Sequence, residues 1–167
     1  VKLWKRYIDD RGGVFLGASR FKSFFRMLEG QFNKFALKLT YESSTFRLHL
    51  LDIEVFLDDN TFHTKEHRKQ TASNSYIKFG STHPKHCFKG IIKSQMHRLR
   101  RLCSRNNDFM DAIKQLRERC INSGYDIDLV EGILMQANSL ERDFSPKINL
   151  PVTSNIHKIR WVVLAGT

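Results

Sequence analysis

The sequence predicts an α+β chain: strands and a single helix through about residue 66, then helices from about residue 83 to residue 142. Three observations carry that class. Phe46, Leu48 and Leu50 alternate with Arg47 and His49, which is strand patterning. Phe21, Phe24, Phe25, Leu28, Phe32 and Phe35 recur at three- and four-residue steps, the spacing of a helix with one broad apolar face. From His83-Pro84, where the residue before proline is biased away from helix, to about residue 142 the apolar spacing is helical.

In chain order, Leu3, Trp4, Tyr7 and Ile8 run into Asp9-Asp10 and then Arg11-Gly12-Gly13 before Val14-Phe15-Leu16. This reads as strand, tight turn and strand, with both acids at the turn. Consecutive side chains on a strand point to opposite faces, so Asp9 and Asp10 can approach one ion only at such a turn. Two carboxylates there suit Mg²⁺, which prefers oxygen ligands. They also suit a plain turn, because Asp bonds its own backbone, and Asp58-Asp59-Asn60 is a turn of that plain kind.

Ser19 is the expected N-cap of the phenylalanine-rich helix, with Gly30 ending or weakening it. Its aromatic stripe reads as core. Residues 36–41 and 45–57 follow as strands, with a return strand from Thr61 to Thr64. Residues 65–82 are polar and basic and read as a loop. Three helices come next: about 85 to 104, then Asp108 as N-cap to Gly124, then a third starting at Asp126 or Asp128. Pro146 and Pro151 flank a linker, and 156–164 reads as the start of a further strand. The expected division is therefore 1–66, a connection at 67–82, a helical region at 83–142, and a final segment at 143–167.

Composition sets the partner class. Lys and Arg number 28 against 17 Asp and Glu, a net charge of +11, which points to a polyanion, most simply nucleic acid. The apolar content of 41%, with 13 Phe, supports a core and excludes a disordered tail. Cys87, Cys103 and Cys120 form no C-x-x-C and read as reduced thiols. His83, His86 and Cys87 lack a fourth ligand at zinc spacing. No signal peptide is visible, and no apolar run approaches the roughly 18 residues that span a bilayer, so an intracellular setting is expected. The chain starts at Val1 without Met and stops in Trp161-Val162-Val163-Leu164, so both ends read as cut.

From Ser81 to Asn107 there is no acid, while Lys85, Lys89, Lys93, Arg98, Arg100, Arg101 and Arg105 are all present. Lys93, His97, Arg100 and Arg101 share one side of a helix, opposite Ile92, Met96, Leu99 and Cys103. A solvated face usually mixes both signs, so phosphate contact explains this stretch better. The candidate nucleic-acid-binding set is Lys85, Lys89, Lys93, His97, Arg98, Arg100, Arg101 and Arg105.

These stretches together resemble the reverse transcriptases of Penelope-like retroelements. Arg6-Tyr7-Ile8-Asp9-Asp10 is similar to that family's Y-x-D-D motif, and Leu50-Leu51-Asp52-Ile53 to its F-L-D segment. Thr71 to Tyr76, Ser81-Thr82-His83-Pro84-Lys85-His86, Ser94-Gln95 and Arg98 to Ser104 resemble the runs leading into its thumb. The chain departs from the pattern at Arg11-Gly12-Gly13, at Leu50 and at Gln70. The resemblance implies the C-terminal part of a right-hand polymerase palm, followed by a helical thumb. It makes Asp9 and Asp10 catalytic Mg²⁺ ligands, puts Tyr7 beside the primer terminus, and gives His83, Pro84 and His86 a structural place, which displaces zinc. The implied partners are an RNA template, a DNA primer and deoxynucleoside triphosphates. It also implies that a further metal-binding carboxylate, the fingers and a downstream endonuclease belong outside this chain, which alone should not polymerise. The rival expectation is a non-enzymatic, helix-turn-helix-like nucleic-acid-binding module, or a decayed relic of such an element.

Overall fold

The computed structural model describes residues 3–7, 10–59, 61–69, 76–142 and 159–166. The chain divides into two compact units, Val1–Phe62 with Ile148–Thr167, and His63–Lys147. The α+β class holds, with seven strands and four α-helices among the described residues.

In the first unit, β1 (Leu3–Tyr7) and β2 (Asp10–Leu16) form an antiparallel hairpin in which Tyr7 faces Asp10. Asp10, expected at the turn, opens β2 instead; Ile8 and Asp9 lie outside the described residues, and Arg11-Gly12-Gly13 lies inside β2. Close packing gives one reason: a Cβ on Gly12 would stand 3.2 Å from a methyl of Leu50. Helix α1 (Ala18–Asn33) begins one residue before the expected cap. Gly17, at φ 85°, takes the cap position because side chains disfavour that conformation, and Ser19 falls in the first turn. The helix runs through Gly30.

The aromatic stripe is core over its first half. Phe15 and Phe21 are buried and edge-on at 5.4 Å, with Phe24, Phe25 and Leu28 packed against them. Tyr41 closes the cluster, 5.0 Å from Phe21 and 4.5 Å from Phe25. The second half departs from that role. Phe32 carries the Arg11 guanidinium over its ring at 4.9 Å, and Phe35 lies past the helix end, 75% exposed.

Strand β3 (Leu39–Ser44) starts later than expected, and the run at 45–57 is a hairpin rather than one strand. β4 (Arg47–Leu50) and β5 (Ile53–Asp58) pair antiparallel, with Leu50 opposite Ile53 across a two-residue turn. Leu51 turns the chain at φ 54°, a conformation usually left to Gly or Asn, so apolar patterning concealed it. Asp59 turns the chain again, as expected, into β6 (Thr61–Glu66). Strand β7 (Ile159–Gly166) overlaps the strand expected at 156–164. It pairs antiparallel with both β2 and β3, giving a sheet of order β1-β2-β7-β3.

The second unit begins at His63, within β6, four residues before the boundary expected after residue 66. Its helices are α2 (Lys85–Leu102), α3 (Asn106–Asn122) and α4 (Ile127–Leu134), followed by a 3-10 turn at Met135–Ser139. Phe88, Ile92, Met96, Leu99 and Cys103 of α2 and its end meet Phe109, Ile113, Leu116 and Cys120 of α3, and Val130, Ile133 and Leu134 of α4. Asp126 is the N-cap of α4 and accepts the Leu129 N–H at 2.9 Å. Asp108 is not a cap: it sits in the first turn of α3 and binds Arg105, which occupies the cap position. Gly124, at φ 83°, follows the end of α3 as expected. No helix among the described residues is long and apolar enough to cross a membrane.

Candidate nucleic-acid interface

Helix α2 carries six Lys and Arg and no acid along 18 residues. Four-residue spacing with apolar residues beneath them turns Lys85, Lys89, Lys93, His97 and Arg101 outward, and all five are exposed. They form a stripe climbing the helix around its solvent side. The stripe ends at a cleft of about 220 Å³ lined by His97, Arg100, Arg101, Leu140 and Glu141.

The other three candidate cations are held within the fold. Arg98 donates to Glu66 at 2.8 Å. Arg100 donates from Nε to the Leu140 carbonyl at 3.1 Å, and its guanidinium lies 4.8 Å over the Phe109 ring. Arg105 binds Asp108 at 2.6 Å. A guanidinium already bonded to carboxylate or carbonyl oxygen has fewer donors for a phosphate. The eight candidates therefore separate into an outward set of five and an inward set of three.

The other helices do not share this charge. α4 contains two acids and no base, and exposes Asp126 and Asp128 at its N-terminal end. On α3, Lys114 is paired with Asp111 at 3.1 Å, and Arg117 with Glu131 of α4. Short links join the three helices: Cys103-Ser104-Arg105 between α2 and α3, and Ser123 to Asp126, turning at Gly124, between α3 and α4. Turns of three or four residues have the length found in helix-turn-helix motifs.

Residues 75–134 match the family model of the animal helix-turn-helix domain. No curated protein matches the chain, and no solved structure does. The helix-turn-helix match covers α2, α3 and α4, and so contains the whole exposed stripe.

Sequence reasoning missed a second cluster in this unit. Glu66 has a side chain only 5% exposed and receives Arg98 at 2.8 Å and Arg68 at 3.0 Å, with Arg119 at 3.9 Å. Just upstream, Ser104 fastens Thr64: its hydroxyl accepts the Thr64 N–H at 2.9 Å, and its own N–H donates to the Thr64 carbonyl at 2.8 Å. A signal was present, since Glu66 is the sole Asp or Glu between Asp59 and Asp108. An acid alone in so basic a stretch is well placed to anchor several cations.

The remaining candidates lie apart from the helices. Asp10 opens β2 opposite Tyr7 and is half-buried, while Asp9 falls outside the described residues. Asp10 offers the hard oxygen donor that Mg²⁺ takes. His83 shares a hydrogen bond of 2.9 Å with the Ser81 hydroxyl, and Cys87 sits half-buried on α2. Burial raises the Cys103 thiol and pushes Cys120 up to about 11, as expected of inert, reduced thiols.

Proposed function

We propose that residues 63–142 form a nucleic-acid-binding helical module that grips the phosphate backbone through α2. The observation that carries this reading is the exposed row Lys85, Lys89, Lys93, His97 and Arg101 on a helix without an acid. The helix-turn-helix match over the same helices supports it. A groove-reading helix contacts base edges with its N-terminal residues. Asp126 and Asp128 stand at that end of α4, where phosphates repel them, so α4 is a poor reader and α2 the better contact. Binding that rests on backbone charge follows salt concentration steeply, with a log–log slope of roughly −0.9 per phosphate neutralised. The four Lys and Arg of the row give a slope near −3.6 by that rule. Fluorescence anisotropy with a labelled oligonucleotide across a salt series tests this. Lys93→Gln and Arg101→Gln should each flatten the slope by about one unit for every sequence tried. Equal slopes in wild type and both variants would overturn the reading.

The second reading, a piece of a reverse transcriptase, draws support from the β1–β2 hairpin, whose register puts Asp10 opposite Tyr7. On that reading the chain holds one side of a two-metal site and the thumb that holds template and primer, and the Mg²⁺ would stabilise the attacking and leaving oxygens. Mn²⁺ titration followed by electron paramagnetic resonance should then show weak binding that Asp9→Asn with Asp10→Asn removes. Unchanged Mn²⁺ binding in that variant refutes it.

A further inference from the structure

Around Glu66 the second unit gathers three guanidiniums against one carboxylate. Arg68 and Arg98 both donate to Oε1, at 3.0 and 2.8 Å. Arg119 lies 3.9 Å from Oε2, close enough for attraction and too far for a hydrogen bond. The surplus is two positive charges.

Hydrogen-bonding capacity is unbalanced in the same direction. Arg119 is 9% exposed, and its Nε and Nη2 have no hydrogen-bond partner among the described residues. The same holds for the hydroxyl of Tyr125, while the Tyr76 hydroxyl is a hydrogen-bond partner of Arg68. Tyr76 interacts electrostatically with Arg68 on one side and Tyr125 on the other. Every one of these groups can donate, and guanidinium nitrogens can only donate. Two other acids of the unit are committed elsewhere, Asp108 to Arg105 and Glu131 to Arg117. Water could accept these hydrogen bonds, but it would leave both surplus charges in place.

We propose that Arg68 and Arg119, with the Tyr76 hydroxyl, bind an oxyanion of the phosphate class, Arg98 adding its charge beside them. Guanidinium presents its donors in a planar fork that matches phosphate oxygens two at a time. Arg119, its side chain 10% exposed, forms the floor of the site, and Arg68 and Arg98, at 27% and 28%, form the rim. Glu66 is a positioning residue that holds the rim arginines in place. The phosphate is either one group of a bound nucleic-acid strand or a free ion. The proposal stands apart from the α2 stripe, because none of its residues belongs to that exposed row.

The test is thermal melting of the full chain in sodium phosphate against sodium chloride of equal ionic strength. A saturable rise of several degrees in Tm is expected, half complete in the millimolar range. Arg119→Met should abolish the rise, Arg68→Gln should raise the half-saturating concentration about tenfold, and Lys114→Gln, at an exposed position on α3, should leave it unchanged. If Arg119→Met does not fold, Arg68→Gln decides alone. Identical melting in the two salts, or a rise that Arg68→Gln leaves unaltered, overturns the proposal and means that the chain satisfies its own guanidiniums. A short oligonucleotide added first separates the sources. Loss of the phosphate response assigns the site to a strand phosphate, and an unchanged response assigns it to a free ion.

Discussion

At Glu66, burial and charge pull in opposite directions. Burial alone raises the carboxyl, but hydrogen bonds from Arg68 and Arg98 and the charges of Arg68 and Arg119 outweigh it and hold the group below its ordinary 4.5. A carboxyl lowered by folding adds stability above its unfolded value and loses it as pH falls through the folded one. Thermal melts should therefore lose stability through this group only below about pH 4.5, and Glu66→Gln should remove that part of the acid transition. The same substitution leaves three arginines without their anchor, for which roughly 3–5 kcal/mol of destabilisation in urea titration is expected. Periodicity and motif could not find Glu66 or Arg119, because a charge becomes a centre only when distant residues converge on it. The α2 cations were legible one by one. Which face water and which turn inward depended on partners such as Leu140, forty residues along the chain from Arg100.

Among the elements, the helices of the second unit were read almost to the residue, and the strands of the first unit less well. A helix is set by local spacing and caps, both of which a sequence carries. Asp126 is the example: its side chain accepts from Leu129, and Asp126→Ala should cost about 1 kcal/mol and shorten α4, seen as lower helicity and an earlier midpoint in urea. Asp108 resembled such a cap and became a partner for Arg105 instead, since both roles ask for the same carboxylate near a helix start. Strands are defined by pairing. Nothing local in Leu50-Leu51-Asp52-Ile53 announces that Leu51 adopts a left-handed turn, and nothing in β7 announces that it pairs between β2 and β3.

For the whole molecule, the family match begins at residue 75, while the compact unit begins at His63. The difference is the end of β6, where Thr64 is bonded to Ser104 and Glu66 to Arg98. A fragment of residues 63–147 should melt several degrees above one of residues 75–147, with both showing the same helical circular dichroism at low temperature. Equal melting temperatures would reduce β6 to a tether. The sequence by itself determined the α+β class, the order of helices and the sign of the partner, because composition, spacing and caps are local quantities. Tertiary structure alone decided which arginines are spent inside the fold, where β7 pairs, and that Glu66 gathers three cations. Those outcomes depend on side chains and strands far apart in the chain meeting where little water remains to screen or satisfy them.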